Sequence, residues 1–143
     1  MNVIVYLGLL VTCCLYALAR GGTPERVGVA LLLSAVGVSF LVPSMGVHRF
    51  FQLEIGMLMV DSCLFLSVTA LALRAQRYWP MWLAAVKLNT VITHLLNMSP
   101  ALMPWSYAIA NAAWSYPSPL LIAIGAVRHR QRLKRYGADP SWS

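Results

Sequence analysis

The chain has 143 residues, of which 59% are hydrophobic and only 10% charged, with eleven Lys and Arg against four Asp and Glu. An ordinary soluble domain carries about 25% charged residues, and one of this length buries only about 70% of its surface. The composition therefore excludes a disordered chain and a disulfide scaffold and argues against a soluble enzyme. What remains is an all-α integral membrane protein: a bundle of five transmembrane helices joined by short connectors.

A span needs about 20 apolar residues. In chain order the predicted helices cover about residues 2–19, 26–42, 50–73, 79–97 and 104–127, followed by a basic cytoplasmic tail over 128–143. The first contains Ala17-Leu-Ala19, which fits a signal cleavage site, yet no Lys or Arg precedes the apolar run. A retained helix is the expectation. The turn Arg20-Gly-Gly-Thr-Pro-Glu25 follows, with Thr23 or Pro24 suited to start the second helix. Pro43 to Gly46, Arg74 to Arg77 and Asn97 to Pro100 break the later junctions. Connectors this short predict that successive helices are antiparallel neighbours. Small residues four apart, such as Gly8 with Thr12 and Ala35 with Ser39, offer close helix contacts.

Orientation follows from the cations. With five crossings, Arg20, Arg26, Arg74, Arg77 and the five of the tail share one side, nine of the eleven. The positive-inside rule then gives N-terminus out and C-terminus in, as in a bacterial inner membrane. The tail cations Arg128, Arg130, Arg132, Lys134 and Arg135 read as a topology signal and as contacts for anionic lipid headgroups, not as a nucleic-acid surface.

Ionisable residues inside spans are costly and mark candidate sites. Glu54 and Asp61 on the third helix are seven residues apart, as are Lys87 and His94 on the fourth, so each pair shares a helical face. Antiparallel pairing predicts Asp61 with Lys87 near the midplane and Glu54 with His94 in the outer half, with Thr90 on the same face. Such pairs neutralise one another and set packing register. A proton or ion path, or docking of a partner's polar group, uses the same residues.

The fifth helix holds Pro117 and Pro119 near its middle, each removing a backbone donor. The break is a kink or, with Asn111, Ser115 and Tyr116, a ligand site of the kind found in broken membrane helices. Cys13, Cys14 and Cys63 lie in apolar stretches. They read as small hydrophobes and as weak candidates for a soft metal. The segment Thr12-Cys13-Cys14-Leu15 resembles the vicinal cysteine pair in the first helix of mercuric-ion transport proteins, which implies metal transport. The likeness covers four residues, and the second cysteine pair of that family has no counterpart here. His48 and His94 could ligate a haem, and the aromatic residues could hold a quinone or pigment. No cofactor is expected as a resident group.

The sequence has no phosphate-binding glycine loop and no HExxH, CxxC or GxSxG motif. The expected function is accordingly non-catalytic: a small accessory or structural subunit that packs with itself or with a larger membrane complex. A small transporter or channel using Asp61, Lys87, Glu54 and His94 is the alternative.

Overall fold

The computed structural model describes residues 3–41, 49–97 and 113–139, with side chains in the third helix from Ile55 onward. Its architecture is all-helical. Among the described residues the five long helices are α1 (Val3–Arg20), α2 (Thr23–Leu41), α3 (Arg49–Arg74), α4 (Tyr78–Asn97) and α5 (Pro117–Tyr136). The segments expected at 104–112 and the residues His48 and Asn111 lie outside the described residues.

Each helix buries one face at helical spacing. Leu10, Cys14 and Ala17 do so on α1, and Glu25, Gly28, Val29 and Leu32 on α2. Leu64, Val68 and Leu71 follow on α3, and Ile122, Gly125 and Ala126 on α5. The buried stripe of α4 changes character along its length: Trp79 and Leu83 give way to Lys87, Thr90 and His94. α3 packs most extensively on α4, and α1 packs on α5 more than on its chain neighbour α2. Sequential helices are thus not uniformly the closest partners, because α5 inserts against α1, α2 and α4.

Two stretches, Thr23–Leu41 and Ile55–Arg74, are long and apolar enough to cross a membrane, and Ile4–Arg20 is apolar but shorter. Five spans of that kind are therefore not found among the described residues. α4 carries Lys87, Asn89, Thr90, Thr93 and His94 in its second half. α5 is helical straight through Arg128–Tyr136, so the expected tail is largely a continuation of the helix.

The boundaries have local causes. α2 starts at Thr23, one of the two starts the turn suggested and three residues before the apolar span, and there the Gly22 N–H donates to Glu25 Oε2 at 3.0 Å and satisfies one open end of the helix. α3 and α4 are joined through Gln76, whose φ of 39° is left-handed. α5 stops at Gly137, whose φ of 72° lets its N–H reach the Leu133 carbonyl at 3.0 Å.

Candidate functional site

Asp61 on α3 and the polar stripe of α4 meet inside the bundle. Asp61 Oδ1 lies 3.7 Å from Lys87 Nζ, and Asp61 Oδ2 lies 3.1 Å from His94 Nε2. The Lys87 and His94 side chains are almost fully enclosed, and that of Asp61 is 20% exposed. Thr90 is buried between the two α4 residues, its hydroxyl donating to the Val86 carbonyl at 3.2 Å.

The geometry follows from the connector. With its centre at Gln76, residue 61 is level with about residue 91, halfway between Lys87 and His94. One carboxylate therefore reaches both, so Asp61 contacts His94, whose expected partner was Glu54, as well as Lys87. The Glu54 side chain lies outside the described residues.

Two phenols approach the same level. The Tyr6 ring of α1 stands edge-on to Tyr116, centroids 5.6 Å apart and planes at 71°. Tyr6 is also within electrostatic reach of Asp61. Tyr116 occupies the turn before Pro117, so the helix restarts there. Ser115 and Pro117 are half-buried, whereas Ser118 and Pro119 are buried. Ser118 Oγ has no hydrogen-bond partner among the described residues. The cavity between α4 and α5, the cavity along the end of α5 and the groove between α2 and α3 contain none of Asp61, Lys87, His94, Ser115 or Tyr116 in their walls.

The cysteines are dispersed in environment: Cys14 is buried, Cys13 half-buried and Cys63 exposed. No group of three His, Cys, Asp or Glu side chains suited to a metal occurs among the described residues.

A second polar cluster, unanticipated from sequence, closes the end of the bundle where the first and third connectors meet α5. Asp139, just beyond α5, accepts from Arg77 Nη1 at 2.8 Å and from Arg132 Nε at 2.9 Å, and its carboxylate also contacts His129 Nδ1. Next to it the fully buried Glu25 accepts from Trp79 Nε1 at 3.0 Å.

The Trp79 indole lies between two glycines on different helices. A Cβ at Gly28 would stand 2.7 Å from its Cη2, and one at Gly125 2.7 Å from its Cδ1. A Cβ at Gly22 would meet the His129 ring at 2.8 Å, which places the first connector against α5. Arg77, Arg132 and His129 thus reach the same carboxylate from two separated parts of the chain. Of the five tail cations, Arg128, Lys134 and Arg135 are exposed, while Arg130 and Arg132 are half-buried.

The sequence signal for this cluster was thin but present. Two of the four acids, Glu25 and Asp139, sit in or beside cation-bearing connectors, and two glycines interrupt apolar helices. No protein-family model, curated protein or solved structure matches the chain.

Proposed function

We propose that the chain is a small, non-catalytic integral membrane protein of a bacterial-type inner membrane, N-terminus out and C-terminus in. It acts as an accessory or structural subunit that packs with itself or within a larger membrane complex. The observation that carries this reading is how polarity is distributed. Charged groups inside the bundle face one another, whereas large apolar side chains face outward on all five helices, among them Ile4, Phe40, Leu73, Trp82 and Ile124. Soluble monomers rarely leave so much apolar surface open.

Hydroxyls on the same helices return to their own backbone. Thr12 donates to the Gly8 carbonyl, Ser34 to Leu31, Ser39 to Ala35 and Thr69 to Phe65. Such bonds satisfy polar groups where no water is present. The groove between α2 and α3, about 330 Å³ and lined in part by Ser34, Ala35, Cys63 and Ser67, has the small-residue character of a membrane helix contact. In this reading Asp61, Lys87 and His94 lock α3 to α4.

The test is purification of the native protein in gentle detergent or nanodiscs, followed by mass analysis. Recovery in a defined complex at fixed stoichiometry supports the subunit reading. A transport reading draws on one observation, that Asp61 contacts two ionisable partners at once inside the bundle. Ion flux through liposomes that Asp61→Asn abolishes while the bundle stays folded would replace the structural proposal with that one.

A further inference from the structure

We infer that the cavity between α4 and α5, at the end of the bundle closed by Asp139, is a binding site for one phospholipid with an anionic headgroup. This inference rests on the membrane reading above. The cavity has a volume of about 450 Å³, within the range of small-molecule sites. Its α5 wall is Leu121, Ile124, Arg128 and Arg132, spaced by three, four and four residues, hence a single helical face. That face runs from apolar to cationic. Opposite it stand Trp79 and Trp82 of α4. The gradient matches an amphiphile: an acyl chain against Leu121, Ile124 and Trp82, and a phosphate at the arginines.

Two observations place an anion at the cationic end. Arg128 lines the cavity and has no ion-pair partner among the described residues. Arg132 is held by Asp139 through Nε, yet its Nη2 is buried with no hydrogen-bond partner among the described residues. Buried donors are almost always satisfied, and a guanidinium presents paired N–H groups that fit phosphate oxygens. The wall carries three guanidinium groups, with Arg77, against the one carboxylate of Asp139. A free phosphate would leave the apolar half unused. A lipid fills it, and the exposed Trp82 and Ile124 make that half continuous with the outward apolar surface.

The site is distinct from diffuse attraction by the basic segment, since Arg130, Lys134 and Arg135 are not in its walls. Arg128 is therefore the variant to test, because it holds no part of the Asp139 cluster, and Arg130→Gln is its charge-matched control.

The purified full chain is titrated in zwitterionic detergent with phosphatidylglycerol carrying brominated acyl chains. Phosphatidylcholine with the same chains serves as comparison, with tryptophan quenching and native mass spectrometry as readouts. The expected result is one retained phosphatidylglycerol per chain, bound at least about tenfold better than phosphatidylcholine. Arg128→Gln should weaken it about fivefold, and Arg130→Gln should change it far less. Trp82→Leu should remove much of the quenching.

Equal retention of both lipids, or equal losses in the two arginine variants, would overturn the site. Displacement by inorganic phosphate at constant ionic strength would overturn the lipid assignment in favour of a phosphate ion. Alkaline carbonate extraction separates the two levels. Release of the protein from membranes refutes the membrane reading, whereas membrane retention without lipid preference refutes only the lipid site.

Discussion

Gly125→Ala adds one methyl group where the Trp79 indole lies against α5. The new carbon would stand 2.7 Å from Cδ1 and Nε1 and 2.9 Å from Cγ of Trp79. Carbon atoms pack best at about 3.5–4.0 Å, so the ring must retreat by about 0.8 Å or more. Retreat is obstructed, because the far edge of the same ring already lies over Gly28 on α2 and the side chain is only 5% exposed. Movement also strains the Trp79 to Glu25 bond of 3.0 Å.

Overpacking costs about 1–3 kcal/mol, and a hydrogen bond to a charged group contributes about 1.5–3 kcal/mol. Against these, Ala in place of Gly favours the helix by about 1 kcal/mol. The net expectation is destabilisation by about 2–3 kcal/mol. Reversible unfolding in mixed micelles, followed by circular dichroism, measures it. Gly8→Ala and Gly37→Ala are the controls, since nothing lies within 4 Å of either added methyl, and both should be neutral or slightly stabilising. If Gly125→Ala stabilises as they do, the tight seat of Trp79 between α2 and α5 is wrong.

The same assay checks three further expectations. Asp61→Asn leaves buried Lys87 without its anion and should cost about 3–5 kcal/mol, whereas Lys87→Met leaves Asp61 still bonded to His94 and should cost less. Combining the two should recover much of the loss, and equal single costs with no recovery would remove the shared-carboxylate arrangement. Asp139→Asn removes the charge that Arg77, His129 and Arg132 share, so a loss of about 3 kcal/mol and faster proteolysis near the end of α5 are expected. Gln76→Gly relieves a left-handed backbone position and should stabilise by about 1 kcal/mol, and a clear loss would show that the turn is built differently.

Helix faces were legible because burial repeats at helical spacing, and the Asp61 and Lys87 juxtaposition followed from numbering across one short connector. The same arithmetic did not foresee the Asp61–His94 contact, because its residue pairs were centred two residues away from Gln76, which shifts each partner level by four residues, about one turn. Glu25 and Asp139 escaped notice for a different reason. Trp79 is 54 residues from Glu25 and Arg77 is 62 from Asp139, so no local pattern relates either pair. A run of arginines signals topology from sequence alone, and says nothing of the helix that continues through it to Tyr136. Gly28 and Gly125 carry no local signal of their own, since only the folded chain sets one indole between them.

The long reach of those contacts also sets an order of assembly. As the chain is synthesised, Asp61 meets Lys87 and His94 within the α3–α4 hairpin, across at most 33 residues, so that hairpin can close early. Arg77 at its turn must then wait for Asp139, which emerges 62 residues later. Until then a guanidinium that ends up almost fully covered lacks the carboxylate of Asp139, and Trp79 lacks the glycine ledge of α5. The last helix is thus the keystone of the bundle. A chain interrupted before Asp139 would present an open, cationic end.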